Sequence, residues 1–188
     1  MASPLPKRHF SARHLVIGGL AGVVVAVAAL AVLAGRSPSG PPLPAEGPAV
    51  GSAAPSFTLS NLANPGSQVK LGNPDGRPTV LTFFGSWCPN CHKDVGVLSK
   101  ASRQFGNSVN FVGVDVADTR SAGLSLVRSA GIDYPVAFDP QRQVSGSLYR
   151  LVGMPSTVFV NSKGKLIHTV LGAITAVELT NWVSRSEA

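Results

Sequence analysis

The chain has very little cysteine: among 188 residues there are two, Cys88 and Cys91, both within the stretch SWCPNCHK. A disulfide bond between them closes a very small loop, and the entropic benefit of a cross-link falls as the loop shortens, so a structural staple is a poor explanation. Zinc needs about four nitrogen or sulfur ligands, and beyond residue 50 the histidines are His92 and His168. A metal site built on this pair is therefore incomplete.

Clustered positive charge is also lacking, although the formal net charge is +7. Residues 1–50 contribute +3, from four basic and one acidic residue, and residues 51–188 contribute +4, from twelve basic and eight acidic residues. The basic residues of the second part are scattered as on an ordinary solvated surface, so no nucleic-acid partner is expected. There is no internal repeat, and a chain of this length holds one globular domain plus appendages.

One apolar run stands near the N-terminus. Residues 15–34, LVIGGLAGVVVAVAALAVLA, carry no charge, and as a helix they rise about 30 Å, the thickness of a bilayer's hydrocarbon core. More basic residues precede the run than follow it closely, so the positive-inside rule keeps residues 1–14 in the cytoplasm and exports the rest. These basic residues are Lys7, Arg8 and Arg13 before the run and Arg36 after it.

A cleaved signal peptide is the alternative for this run, with cleavage after Ala31 or Ala34 and a secreted product. A secretory apolar region usually has about 7–15 residues, so the length of residues 15–34 favours a retained single-pass anchor. No cysteine follows the run, which excludes a bacterial lipid anchor. Residues 35–50 hold five prolines and three glycines, a composition typical of an extended tether. The folded domain is predicted over residues 51–188.

The folded part alternates strands and helices. The run TVLTFF is β-branched and aromatic, typical of a strand buried on both faces, and the apolar positions that follow the cysteines lie on one helical stripe. The order βαβα, then ββα, predicts an α/β fold with a central mixed β-sheet flanked by helices. The predicted strands are 79–84, 109–116, 155–161 and 165–172, and the predicted helices are 90–105, 119–131 and 175–185.

The two cysteines thus lie where a strand passes into a helix. A helix that begins here directs backbone N–H groups and its positive dipole end at Cys88, which favours the thiolate. Cys88 is then the nucleophile, and Cys91, one turn on, attacks the mixed disulfide and releases the partner. Pro89 suits the first helical turn because it lacks an N–H and its φ is fixed. Redox chemistry fits this spacing best.

Strand, WCPNC and helix together resemble the thioredoxin superfamily, and residues 51–188 resemble its TlpA/ResA-like, membrane-tethered thiol–disulfide oxidoreductases. The resemblance implies a thioredoxin-like fold and a Cys88–Cys91 redox-active disulfide with no other cofactor. Since such proteins include the reductants of cytochrome c maturation, the implied clients are exported proteins such as an apocytochrome c, with a membrane electron carrier as supplier. Four further stretches carry the resemblance: VGSAAPSFTL (50–59), FFGSWCPNCHKD (83–94), YPVAFDP (134–140) and GMPSTVFVNSKGKL (153–166).

The same resemblance suggests which residues meet a client. Met154-Pro155 matches the cis-proline loop that faces the cysteines, where the residue before the proline pairs with an extended peptide by strand addition. An ordinary trans proline that opens a strand is the alternative. Trp87 resembles the tryptophan beside the nucleophile, which shields the disulfide and contacts partners; packing for burial alone is the other interpretation. Trp182 is expected in the core.

One acidic residue is the candidate for proton transfer. The aspartate that thioredoxins carry six residues before the first cysteine is replaced by Thr82, which does not titrate usefully. Asp94 lies three residues after Cys91 on the same helix face and matches the acidic residue of ResA-like members. Partial burial would raise its pKa and let it exchange protons with the cysteines. The alternative is a solvated carboxylate in the first helical turn.

The direction of electron flow stays open in the sequence. The Pro-Asn pair between the cysteines differs from the Gly-Pro of reducing thioredoxins and from the Pro-His of strong oxidases, so a disulfide-forming oxidase is the alternative to a reductant. A thiol peroxidase shares the fold but needs Thr and Pro where Gly85 and Leu81 stand. A copper-delivery protein of the Sco type needs three residues between its cysteines rather than two.

Overall fold

The computed structural model of the protein describes residues 47–72 and 75–186. The predicted N-terminal segment 1–14, the predicted anchor 15–34 and residues 35–46 of the predicted tether lie outside these ranges. No helix within the described ranges is both long enough and apolar enough to cross a membrane.

The described residues form seven strands, three α-helices and one π-helical turn. Five strands form the central sheet in the order β5-β4-β3-β6-β7, and β1 and β2 form a separate antiparallel pair. The elements are β1 (Phe57–Ser60), β2 (Gln68–Leu71), β3 (Thr79–Phe84), α1 (Pro89–Phe105), β4 (Asn110–Val116), α2 (Arg120–Ser129), β5 (Val136–Asp139), a π-helical turn (Gln143–Leu148), β6 (Ser156–Val160), β7 (Leu166–Leu171) and α3 (Ala176–Ser186).

The sheet is mixed, as the sequence predicts. β3 pairs in parallel with β4, which pairs in parallel with β5, whereas β6 and β7 add to the other side of β3 as an antiparallel pair. All six residues of β3 are buried, which explains why this strand reads as a continuous apolar run. Because the carboxyl ends of parallel strands lie at one edge of a sheet, the segments that follow β3 and β4 meet there.

Alternate residues of β3 divide the core into two layers. Leu81 and Phe83 face the layer that contains the β1–β2 pair and the π-helical turn. Val80 and Phe84 face the layer that contains the three helices. Cys88 and Cys91 belong to the same apolar cluster as Phe84, so the cysteine motif lies on the helical side of the sheet.

The predicted elements agree with the observed ones to within one or two residues. The strand predicted over 79–84 coincides with β3, and the helix predicted over 119–131 is α2, whose N-cap Thr119 accepts a hydrogen bond from the Ala122 N–H. β1, β2, β5 and the π-helical turn were not predicted. β1, β2 and β5 have four residues each, fewer than any predicted strand, and the π-helical turn has six. Segments this short give little hydrophobic periodicity.

Candidate active site

The two cysteines form a disulfide bond at the start of α1. Cys88 is the N-cap residue of the helix, with extended backbone angles, and its Sγ accepts a hydrogen bond of 3.2 Å from the Cys91 N–H. Pro89 occupies the start of the helix, where its missing N–H costs nothing. The strand-to-helix turn therefore holds Cys88 at the positive end of the helix, where negative charge on sulfur is favoured.

The two sulfur-bearing residues differ in accessibility. Cys88 keeps 5% of its surface exposed, whereas Cys91 keeps none. An incoming thiol or disulfide therefore meets Cys88 first, whereas Cys91 has no surface that an external partner could contact. This inequality supports the predicted order, in which Cys88 is the nucleophile and Cys91 resolves the mixed disulfide.

A proline loop lies against the disulfide. The Met154–Pro155 peptide bond is cis, and the Met154 carbonyl oxygen lies 3.5 Å from Sγ of Cys88. Val152, two residues earlier, is 87% exposed. The loop thus brings the backbone carbonyl of Met154 beside the reactive sulfur, where the resemblance puts it. Its part in binding clients stays a prediction.

Trp87 lies beside Cys88 with 55% of its surface exposed. Its indole N–H donates a 2.9 Å hydrogen bond to the Val116 carbonyl, which fixes the ring against the end of β4. Gly85 lies under the ring: a Cβ at this glycine would come within 2.7 Å of Cε2 of the indole. Burial alone therefore does not explain Trp87, whose free face is open to a partner. Trp182, by contrast, packs against the core and stacks on His168 with ring centroids 3.8 Å apart.

Asp94 is buried in α1, with 1% of its surface exposed. Oδ1 accepts a 2.6 Å hydrogen bond from the Ile174 N–H, while Oδ2 receives no hydrogen bond from the described residues. Burial raises the pKa of Asp94 to about 6, the negative charge of Glu178 adds to this rise, and the Ile174 N–H opposes it. The structure therefore differs from the solvated-carboxylate alternative. Proton exchange between Asp94 and the cysteines stays a prediction.

The sheet behind the motif is polar but uncharged. Thr82 faces Thr157 across the β3–β6 pair, and neither hydroxyl has a hydrogen-bond partner among the described residues. Because threonine does not titrate in this range, Thr82 cannot take the place of the thioredoxin aspartate. No group of three or more His, Cys, Asp or Glu residues in the described ranges is arranged to hold a metal ion.

Three polar side chains surround the motif, and sequence reasoning missed two of them, Asp115 and Asp118. Oδ2 of Asp118 accepts a 2.6 Å hydrogen bond from the Ser86 N–H, and Nε2 of His92 lies 2.9 Å from the Ser86 carbonyl oxygen. Asp115 is fully buried at the end of β4. The available signal was topological: Asp115 and Asp118 close the strand parallel to the one that carries the cysteines, so they belong to the same edge of the sheet.

Comparison with known proteins agrees with this geometry. The Redoxin family matches residues 49–181. The thiol-disulfide oxidoreductase ResA of Bacillus subtilis (strain 168) is 31% identical over 126 residues, which cover 66% of this chain and 69% of that protein. The thiol:disulfide interchange protein DsbE of Allochromatium vinosum is 29% identical over 130 residues, 69% of this chain and 70% of that protein.

A solved structure matches the fold as well. The crystal structure of a secreted disulfide oxidoreductase of Mycobacterium tuberculosis, homologous to E. coli DsbE, aligns with a TM-score of 0.62 and 25% identity. The alignment covers 69% of this chain and 95% of that one. The thioredoxin-like α/β fold is thereby confirmed.

Proposed function

Because the chain belongs to the Redoxin family and is a ResA-like thiol–disulfide oxidoreductase of the thioredoxin superfamily, we propose that it reduces disulfide bonds of exported proteins, with an oxidised apocytochrome c as client. In this proposal, thiol–disulfide exchange takes place at the Cys88–Cys91 pair. The observation that carries the direction of electron flow is the acidic surroundings of this pair.

Two aspartates, Asp94 and Asp118, lie at the cysteine end of the central sheet. Asp94 is buried in the helix that carries the cysteines, and burial raises its pKa only to about 6. Asp118 accepts a hydrogen bond from the peptide N–H two residues before Cys88. Negative charge near a cysteine disfavours its thiolate. Strong oxidants of this fold depend on the opposite arrangement, in which the reduced form is stabilised. Acidic surroundings therefore favour the disulfide form and a low reduction potential, as a reductant requires.

The reaction follows from the unequal exposure of the two cysteines. In the reduced protein the Cys88 thiolate attacks one sulfur of the client disulfide, and the other client sulfur leaves and takes up a proton. Cys91 then loses its proton to the Asp94 carboxylate and attacks Sγ of Cys88, which expels the second client sulfur. This sulfur takes up the proton that Asp94 received. The client gains two electrons and two protons, and the protein returns to its disulfide form. A membrane electron carrier then re-reduces it.

The direction is tested by the reduction potential of the full-length chain in detergent micelles. The protein is equilibrated with glutathione and dithiothreitol buffers of known potential, and thiols are trapped and counted. A value near that of thioredoxin, about −270 mV, supports a reductant. A value near about −120 mV, at the strongly oxidising end, replaces the proposal with a disulfide-forming oxidase.

The client is tested with trapped intermediates. Cys91→Ser removes the resolving thiol, so a client that is attacked by Cys88 stays attached. We expect this variant to capture an oxidised peptide with the haem-attachment pattern CxxCH faster than a peptide of the same composition with its two cysteines five residues apart. Equal capture of both peptides indicates a general reductant instead. Cys88→Ser is the matched control, and we expect it to capture neither.

We also propose that residues 15–34 anchor the protein in the membrane and that residues 35–50 hold the domain outside the cytoplasm. The charge distribution around the apolar run supports this orientation. Carbonate extraction of membranes and protease treatment of spheroplasts test it. Retention in the membrane with a protease-accessible domain is the expected result; release by carbonate at a smaller mass indicates a cleaved signal peptide.

A further inference from the structure

A second acidic centre lies behind the loop that carries the cysteines. Asp115 in β4 is fully buried between Phe84 of β3 and Phe138 of β5, which occupy the matching positions of the neighbouring strands. Gly123 of α2 closes the space above it, since a Cβ at this glycine would come within 2.7 Å of the Asp115 Cγ. The carboxyl group is thus enclosed by two strands and a helix.

The two aspartates at this position differ in their hydrogen-bond donors. Neither oxygen of Asp115 receives a hydrogen bond from an N–H or O–H group of the described residues. Asp118, by contrast, accepts hydrogen bonds from the Ser86 N–H at 2.6 Å and from the Thr119 N–H at 2.7 Å. A buried carboxylate without donors is costly, so Asp115 is the member of the pair that is stable as a neutral acid.

We propose that Asp115 and Asp118 share one proton, with the neutral Asp115 carboxyl donating to the Asp118 carboxylate, and that this pair positions the Ser86–Cys88 loop and sets the charge behind it. A neutral carboxyl has one O–H to donate, and Asp118, three residues after Asp115 in the short segment that joins β4 to α2, is the neighbouring carboxyl group that can accept it. The proton resolves two problems at once. It removes a buried charge without donors, and it prevents repulsion between two adjacent carboxylates.

The surroundings of Asp115 determine the pH at which this proton leaves. Burial has the largest effect on the pKa of Asp115, and the negative charge of Asp118 and the hydrogen bond with it add to that effect. Together they raise the pKa to about 8, while the positive charge of Arg120 opposes the rise. The guanidinium of Arg120 is held elsewhere, on the Asn61 and Leu62 carbonyls and over the Phe138 ring.

Among the described residues, Asp118 and Arg120 are the charged groups that determine the pKa of Asp115. β3 and β5 present phenylalanines at its register positions. α1 contributes His92, whose ring contacts the Ser86 carbonyl oxygen, and Asp94, which bonds to the Ile174 N–H at the start of the segment leading into α3. Within the described residues, the ionisation of Asp115 therefore depends on burial, Asp118 and Arg120.

Loss of the shared proton acts on the reactive cysteine through the loop. Asp118 holds the Ser86 N–H, and Ser86 lies two residues before Cys88. When the pair ionises, a second negative charge appears behind this loop and disfavours a thiolate at Cys88. We therefore expect exchange through Cys88 to be slower above about pH 8 than the growth of the thiolate population alone predicts.

The isosteric variant Asp115→Asn separates this role from packing. Its amide N–H₂ donates to Asp118 at every pH, so it imitates the protonated acid and cannot ionise. Asp75→Asn is the matched control, because Asp75 is an exposed aspartate that pairs with Arg77 outside this cluster. Neither residue contacts the sulfur atoms in the reaction described above, and we expect both variants to keep the basal exchange rate at pH 6.5.

The protonation state is measured directly in the oxidised full-length chain in micelles, where the cysteines do not titrate. With ¹³C-labelled aspartate, NMR should show one carboxyl carbon that titrates near pH 8, and the Ser86 amide should shift with the same midpoint. Asp115→Asn should abolish this step at both positions, and Asp75→Asn should leave it unchanged. Titration of Asp115 below about pH 5, or an unchanged Ser86 amide between pH 6 and 10, overturns the proposal.

The functional coupling is measured with a small disulfide substrate. The exchange rate of Asp115→Asn divided by that of the wild type should be near one at pH 6.5 and rise several-fold by pH 9.5. A ratio that stays constant with pH assigns Asp115 to packing alone and overturns the coupling. Both measurements are independent of the client and of the direction of electron flow, so their failure is distinguishable from failure of the reductant hypothesis.

Discussion

Aspartates at the two ends of the central sheet differ in burial and in the direction of their pKa shift. At the carboxyl ends of β3 and β4, Asp94 and Asp115 are buried, and burial raises the pKa of each. At the amino ends, Asp75 is exposed and its hydrogen bonds with Arg77 lower its pKa. The difference shows that enclosure, rather than the abundance of acidic residues, marks the chemically active end.

A cleft also lies at the end of the sheet opposite the reactive disulfide. Space of about 470 Å³ opens at the amino ends of β3 and β4, lined by Lys70, Arg77 and Lys163 among others. It contains neither cysteine, and its charged groups are exposed. The disulfide instead lies beside Trp87 and the proline loop. The proposed polypeptide client would need access to the reactive sulfur more than a deep pocket.

The largest effect should come from the cysteines themselves. We expect Cys88→Ser to reduce thiol–disulfide exchange to the uncatalysed background, because the accessible nucleophile is gone. Cys91→Ser should retain the first attack and stop at the mixed disulfide. Reduction of a model protein disulfide, followed by non-reducing electrophoresis, distinguishes the two variants. Sustained turnover by Cys88→Ser would contradict the assigned order of attack.

The next largest effect should come from removing the buried acid in α1. Asp94→Asn keeps the acceptor for the Ile174 N–H but cannot accept a proton from Cys91. We expect exchange to slow by about 10²-fold, the lower range for general acid–base catalysis. The inflection that we expect near pH 6 in the wild-type pH–rate profile should disappear. An unchanged pH–rate profile would give Asp94 a structural role only.

The same variant tests the comparison through stability. Because the pKa of Asp94 is raised from 3.8 to about 6, the folded state binds a proton that the unfolded state has lost between these values. The Asp94 contribution to the free energy of unfolding should therefore fall as pH rises from about 4 to 6, by on the order of 3 kcal/mol. Because Asp115 also has a raised pKa, urea unfolding of Asp94→Asn should still show a decline, but one smaller by this amount than that of the wild type, and an identical decline in both proteins would refute the assignment.

A smaller effect should follow from displacing Trp87. Gly85→Ala places a Cβ against the indole, so the ring must leave the Val116 carbonyl and the surface beside Cys88. We expect several-fold weaker reduction of a protein client with little change toward a small disulfide, which does not need the aromatic surface. Trp87→Phe is the matched variant, since it keeps the ring and loses the hydrogen bond. Equal losses on both substrates would indicate a general distortion of the site.

The smallest effects should come from substitutions at positions with no close neighbours or with an exposed side chain. A Cβ at Gly96 in α1 meets nothing within 4 Å, so Gly96→Ala should raise the free energy of unfolding by about 0.5–1 kcal/mol without altering exchange. Asp75→Asn at the amino end should leave stability almost unchanged, as expected for an exposed pair. Thermal melts measure both, and a larger loss at Asp75 would weaken the contrast between the ends.

Much of this contrast could be predicted from the sequence, but not all of it. The run TVLTFF and the cysteine spacing predicted β3, the start of α1 and the order of attack, because both signals are local. The position of Asp94 on the face of Cys91 followed from helical periodicity. Asp115 and Asp118 could not be assigned in this way, because their relation to the cysteines depends on the register between β3 and β4, which no local spacing encodes.

The unequal exposure of the two cysteines also limits oxidative damage. A peroxide that meets the reduced protein reaches Cys88 before the fully buried Cys91. The sulfenic acid that forms on Cys88 lies within disulfide-bonding distance of the Cys91 thiol, since the two Cα atoms are 5.3 Å apart. Condensation releases water and gives the disulfide. An oxidant thus converts the protein into a normal state of its own cycle, from which ordinary reduction restores it.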